Sequence, residues 1–251
     1  MSTSRKIILN MKKLVQLLLL LISAIGFSQI SLSRHNLTPL TDGQVVAFNT
    51  IAFPAAELDF YVKNNSTTAS TNIKITCTAL VNNDGTGFEL CFGPDCLSSV
   101  EVGSTYPVNQ PYVTLAPGQS SGNEGHFLNT TIGSGTYPKD YSFRFYQAGN
   151  PTGNTIDITY RFDPNLSSLE INQLETSGVI LKSSVVDSQL ELDVLKATNM
   201  EIFDLNGKQL LTNRLEYGIQ TIDISSFASG VYLINFVNEK GVNSSMKFIK
   251  K

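Results

Sequence analysis

The chain has 251 residues, 41% hydrophobic and only 16% charged, with 3 Cys, 2 His and no Trp. The charged share sits below the roughly 25% of an average soluble protein, which argues against a wholly disordered chain. The formal net charge of −3 leaves no basic excess for nucleic acid. Two histidines exclude a histidine-rich metal centre and leave few candidates for a His-based catalytic site.

The first 28 residues hold four basic side chains (Arg5, Lys6, Lys12, Lys13) and no acid, then an apolar run from Leu14 to Phe27 that ends in the small residues Gly26 and Ser28. A charged region, an apolar core and a small-x-small ending predict a secretory signal peptide over 1–28, cleaved between Ser28 and Gln29. The run is shorter than the roughly 20 residues a bilayer-spanning helix requires. Met11, followed by Lys12-Lys13, starts an equally good signal. Removing it takes the formal charge to −7, since only positive charges leave.

The mature chain reads as all-β. Short apolar or alternating runs are separated by Gly, Pro, Asn, Asp and Ser. Strands are predicted at Gln44–Phe48, Glu57–Lys63, Asn72–Leu80, Phe88–Phe92, Tyr112–Leu115, Gly125–Leu128, Tyr141–Gln147 and Thr155–Phe162. After a turn-rich break at Asp163–Ser168, a second series runs Gly178–Leu181, Gln189–Val194, Met200–Asp204, Gln209–Asn213, Gly218–Asp223, Gly230–Val237 and Val242–Ile249. No stretch sustains a 3.6-residue period. The spacing predicts two consecutive immunoglobulin-like β-sandwich domains, 29–165 and 166–251, each large enough for its own core.

The second domain carries the most specific pattern. An alternating strand leads into Asn206-Gly207, a hairpin signal in which both turn positions tolerate positive φ. Asp204, Gly207 and Lys208 are followed by Ile222, Asp223, Ser225, Gly230 and Tyr232, and the chain ends on Lys247, Lys250 and Lys251. These residues resemble the type A C-terminal sorting domain of the type IX secretion system of Bacteroidota: a "D-x-x-G-K" hairpin, an "I-D-x-S-x-x-x-x-G-x-Y" segment and a basic end. The likeness spans about Leu169–Lys251. It departs at the opening "Y-P-N-P-V" segment, where Leu181-Lys182-Ser183-Ser184-Val185 holds no proline. The resemblance implies an address read by the outer-membrane translocon, removed by its C-terminal signal peptidase, with the cargo coupled to anionic lipopolysaccharide or released. Gly207 and Gly230 are expected to serve backbone geometry, Tyr232 the core, and the three lysines contact with the machinery.

The first domain is then cargo. An exported protein meets an oxidising compartment, and Gly93-Pro94 is turn chemistry, so a Cys91–Cys96 disulfide is expected. Cys77, in phase with Ile73 and Ile75, reads as a buried small hydrophobe; its pairing with Cys91 or Cys96 is the competing arrangement. Leu115-Ala116-Pro117-Gly118-Gln119-Ser120, after the cysteine turn, resembles fibronectin-III-like cargo modules of Bacteroidota surface proteins, a likeness that names no ligand.

Three cysteines and two distant histidines supply too few ligands for zinc, so no metal or cofactor is expected. No catalytic residue is expected either. His35 and His126 sit in no nucleophile motif, and nothing in the spacing of Glu89, Asp95, Glu101 and Glu124 selects a carboxylate pair for glycoside hydrolysis. Tyr106, Tyr112, Tyr137 and Tyr146 are the available aromatic platforms for a glycan, against the plainer reading that they pack over loops. Asn82–Gly87 reads as a hairpin turn rather than a calcium loop. The expectation is a non-enzymatic surface or secreted protein whose cargo sandwich binds a glycan or protein. A small secreted hydrolase and an accessory subunit of a surface assembly are the alternatives.

Overall fold

The computed structural model describes residues 29–237 and 243–251. The predicted signal peptide up to Ser28 lies outside them, as does the first residue of the predicted 242–249 strand. In chain order the first region holds β1 (Ile30–Ser33), β2 (Pro39–Leu40), β3 (Gln44–Phe48), β4 (Glu57–Asp59), β5 (Tyr61–Asn64), β6 (Thr71–Val81), β7 (Thr86–Phe92), β8 (Asp95–Ser99), β9 (Thr105–Tyr106), β10 (Val113–Leu115), β11 (His126–Asn129), β12 (Lys139–Gln147) and β13 (Ile156–Phe162). Helix α1 (Ser168–Ser177) follows. Then come β14 (Val179–Leu181), β15 (Val185–Val186), β16 (Gln189–Val194), β17 (Thr198–Asp204), β18 (Gln209–Leu215), β19 (Gly218–Asp223), β20 (Gly230–Val237) and β21 (Asn243–Lys250). The protein is all-β, as its patterning predicts.

Period-two alternation decides which side chains go inside. Leu58, Phe60 and Val62 are buried while Glu57, Asp59 and Tyr61 are partly exposed; Tyr141, Phe143 and Phe145 repeat the pattern on β12. One six-stranded sheet runs β10-β6-β12-β13-β3, with β9 also on β6; facing it are two smaller sheets, β2-β1-β5 and β4-β11-β7-β8. Their inner faces share one core. Phe127 stacks on Phe143 at 4.3 Å and Phe88 on Tyr141 at 4.0 Å.

The predicted Glu57–Lys63 strand is two strands. The Phe60 N–H donates to Gly125 O at 2.8 Å, and the chain there leaves the β11 sheet to join β1. A Cβ on Gly125 would stand 2.5 Å from Phe60 O, so only glycine lets the backbones approach.

The turn-rich break is also not what its composition suggests. Helix α1 begins there, with a capping box in which Ser167 Oγ accepts from the Glu170 N–H and Glu170 Oε2 accepts from the Ser167 N–H. It ends at Gly178, whose φ of 69° closes the last turn. One turn-rich cap and only ten residues leave little periodicity to see. Leu174 of α1 packs with Ala47 of β3 and Ile180 of β14, so the helix bridges the two regions.

The second region pairs a three-stranded sheet, β14-β16-β19, with a five-stranded one, β15-β21-β20-β17-β18. Leu190, Leu192 and Ile222 from the first meet Met200, Ile202, Ile234 and Phe248 from the second in a separate core. No helix among the described residues is long and apolar enough to cross a membrane.

Truncating Phe127 to Ala should cost about 3–5 kcal/mol through the cavity it leaves. Removing the exposed Ile249 side chain should change stability by less than about 0.5 kcal/mol. Denaturant unfolding followed by far-UV circular dichroism separates the two; equal effects would contradict the core described.

Candidate functional site

The C-terminal motif residues are first of all turn chemistry. Asp204 Oδ1 accepts from the backbone N–H groups of Asn206 and Lys208, both at 2.9 Å, and Gly207 takes φ 80°. The predicted hairpin forms, β17 pairing antiparallel with β18 across Asn206-Gly207; of the two turn residues only Gly207 takes positive φ, the Asp204 carboxylate closes the loop, and the register shifts between Ile202 and Phe203. Asp223 works the same way: its Oδ1 accepts from the Ser225 N–H at 2.8 Å, and that bond holds the carboxyl below its usual range. Ile222 and Ile224 on either side are buried.

Tyr232 is core, as expected. Its ring lies between Phe227 and Phe248, 5.3 Å from each, and its hydroxyl donates to Ala228 O at 2.6 Å. Gly230 departs from expectation. It has no left-handed φ, and a Cβ there would meet only Tyr232 at ordinary contact distance, so local geometry does not demand glycine.

The basic end is not a loose tail. Lys247 and Lys250 belong to β21, which lies inside the five-stranded sheet, and the Lys251 N–H still donates to Val186 O at 2.9 Å. Burial of Tyr232, Ile234 and Phe236 turns Val231 and Leu233 outward. Across the strands Val185, Ile249 and Val231 form one row; Lys247, Leu233 and Phe203 form the next. Val185, Ile249 and Leu233 are 41%, 41% and 38% exposed. Spacing alone singles out the lysines; the apolar stripe beside them emerges only once the register is known.

On the first region the structure gathers what the sequence left scattered. His126, Cys91 and Cys96 lie opposite one another on β11, β7 and β8. Cys91 and Cys96 are disulfide-bonded, with Cα atoms 4.1 Å apart. His126 Nε2 is 2.8 Å from Glu89 Oε1, and Nδ1 is 2.9 Å from Glu124 O and 3.8 Å from Glu57 Oε1. Nearby, Arg34 and the backbone N–H of His35 bond Asp59 at 2.8 Å each. Burial lifts the Asp59 carboxyl, but these partners outweigh it and hold it below the usual range.

Asp95 is buried and pins the loop after β9. It accepts from the N–H groups of Val108 and Asn109 and from Asn109 Nδ2. Burial opposes its ionisation, yet the three hydrogen bonds leave its pKa lowered. The loop presents Val108 and Tyr112 to solvent, whereas Tyr106 and Tyr146 are buried and offer no platform. Glu101 lies on the turn before β9, its carbonyl accepting from the Ser104 N–H at 3.1 Å.

Cys77 is fully buried and free, and burial pushes its thiol up to about 11. A thiol reagent near neutral pH should leave Cys77 unlabelled until the chain is unfolded, and intact mass should rise by two hydrogens on reduction. Rapid labelling of the native chain would contradict its burial. A lowered folded-state pKa means that the Asp95 contribution is present above the ordinary carboxylate value of about 4 and is lost as pH falls through the folded value. Asp95→Asn should therefore destabilise at neutral pH and flatten the acid limb of a stability–pH curve; an unchanged limb would count against the pinning bonds.

A search of the curated proteins finds no match. Among solved structures, the chain is similar to the periplasmic chaperone SfaE, at 13% identity over 88% of this chain and 98% of that one, TM-score 0.40. The Escherichia coli chaperone DraB aligns at 11% identity over 88% and 97%, TM-score 0.38. The Pseudomonas aeruginosa CupB2 chaperone aligns at 10% over 84% and 100%, TM-score 0.34. The family model for the "Secretion system C-terminal sorting domain" matches residues 184–251. That stretch begins just after Leu181–Ser183, where the opening prolines are missing, and takes in every motif from Asp204 to Lys251. Residues 184–251 are thus a type IX secretion C-terminal sorting domain, and they mark the chain as an exported one delivered by that system.

Proposed function

We propose that the protein is a non-enzymatic surface or secreted protein whose N-terminal β-sandwich binds a glycan or protein ligand. The sorting domain hands it to the outer-membrane translocon, after which the C-terminal signal peptidase removes the address and the cargo is coupled to anionic lipopolysaccharide or released. The observation that carries the delivery step is the match over 184–251 on a region with its own core. The stripe of Val185, Val231, Leu233 and Ile249 beside Lys247 is the surface we assign to recognition. Contiguous exposed apolar groups rimmed by charge suit a protein contact.

Two features support binding over catalysis. The hydrogen bonds and ion pairs of His126 among the described residues run to Glu124, Glu89 and Glu57, none of them a hydroxyl or thiol awaiting activation. The loop carrying Val108 and Tyr112 is fixed by the buried Asp95, so its exposed apolar groups are pre-organised for a partner.

Deleting residues 184–251 should leave the remaining chain in the periplasm on cell fractionation. Leu233→Asp with Ile249→Asp should reduce export while leaving the folded signal of the purified chain intact. Undiminished surface display or release of the truncated chain would overturn the delivery role, and unimpaired export of the double variant would overturn the assigned face.

A further inference from the structure

The outer face of the β4-β11-β7-β8 sheet holds a group of side chains that neither delivery nor ligand binding by the loops uses. Burial of Phe127 turns His126 outward, and burial of Leu90 and Phe92 turns Cys91 outward. The sulfurs of Cys91 and Cys96 and one ring nitrogen of His126 all lie within 4.8 Å of one another. Cys91 is fully buried and Cys96 is exposed, so the group is reachable from one side.

The hydrogen bonds of His126 add a second, independent indication. Glu124 O is a carbonyl and can only accept, so Nδ1 carries a proton. Nε2 then faces Glu89 Oε1 at 2.8 Å. Both ring nitrogens are thus held by oxygen partners, which fixes the ring beside the two sulfurs. A metal-bound histidine ordinarily donates its other N–H to a carbonyl or carboxylate, and Nδ1 does so here. The surrounding charge also favours a dication: Glu57, Asp59 and Glu89 face this sheet surface, balanced by Arg34.

We propose that reduction of Cys91–Cys96 opens a site for a divalent borderline metal such as zinc, held by both thiolates and His126, with Glu89 orienting the ring. A dithiol reductant transfers two electrons and two protons to the disulfide; its own sulfurs join as a disulfide, and Cys91 and Cys96 become thiols. The metal then displaces the two thiol protons and the proton shared by the His126–Glu89 pair to solvent, three protons in all. The disulfide and the metal are mutually exclusive, so redox state gates the site. His126 is distant from the cysteines along the chain, and register brings it opposite Cys91.

The test is a titration of the purified chain with cobalt(II), followed by competition with zinc, before and after reduction. The reduced chain should bind one cobalt with a thiolate-to-metal charge-transfer band, and the oxidised chain should show no such band. Cys96→Ser should abolish the band. His126→Gln and Glu89→Gln, which preserve shape, should each weaken binding at least about tenfold. Absence of the band in the reduced chain, its presence in the oxidised chain, or wild-type affinity in His126→Gln would overturn the proposal. So would a reduced chain that loses its far-UV strand signal and fails to regain it with cobalt.

Discussion

The aromatic contact between the two layers of the first sandwich governs the positions of the polar groups around it. Phe127 of β11 lies 4.3 Å from Phe143 and 4.9 Å from Phe60, and Phe88 of β7 stacks on Tyr141. A strand admits no intermediate choice: a residue that points inward sends both neighbours outward. Burying Phe127 therefore exposes His126, and burying Phe88, Leu90 and Phe92 exposes Glu89 and turns Cys91 to the same side. A one-residue slip of β11 would put a histidine among phenylalanines and take the His126 imidazole off the sheet face. Packing energy, rather than any attraction between the polar groups, sets the register in which His126 opposes Cys91.

The same rule acts in the second region with a different outcome. Tyr232, Ile234 and Phe236 face the core, and the alternate positions of β20 are Val231, Leu233 and Asn235. Ordinary surface sheets fill such positions with polar side chains. Here the neighbouring strands add Val185, Ile249 and Phe203 to the same face, while the turns are secured by carboxylates at Asp204 and Asp223. The motif residues thus divide by role. Aspartates and Gly207 hold the turns, Tyr232 holds the core, and the stripe beside Lys247 is what the sheet leaves exposed. A motif built mostly of turn and core residues specifies a shape, and it is the shape that presents the stripe.

Much of this fold is legible in the chain because strands announce themselves locally. The alternation of Leu58, Phe60 and Val62 and that of Tyr141, Phe143 and Phe145 give the strands and their inward faces directly. What local pattern does not contain is pairing. The crossover at Phe60 depends on Gly125, far along the chain, so Glu57–Lys63 looks continuous. Helix α1 is capped by Ser167 and Glu170, residues that read equally as a turn, and its apolar contacts are made with Ala47 and Ile180 rather than within itself. His126 is separated from Cys91 by several strands in sequence and by one strand spacing in space. The disulfide is legible because its turn is local; the histidine beside it is not, because register is a property of the assembled sheet.

The seam between the two regions bears on how an address can be carried without compromising its cargo. Ala47, Leu174 and Ile180 are its fully buried apolar side chains, supported by Lys196 Nζ donating to Asp42 O and Asn49 Nδ2 donating to Leu166 O. At about 1.5–3 kcal/mol for a buried large side chain, and less for alanine, this seam contributes far less than either core. Cys77, Phe88 and Tyr160 on one side, and Ile202, Ile234 and Phe248 on the other, pack without reference to it. The helix nevertheless fixes the angle at which the two sandwiches meet, because its cap, its Gly178 terminus and Leu174 are all engaged. A short, capped helix docked on a small apolar seam joins the two regions while leaving the cargo core independent of the address. The exposed Leu233 and Ile249 lie outside that seam, so the stripe is open to solvent with the two regions docked.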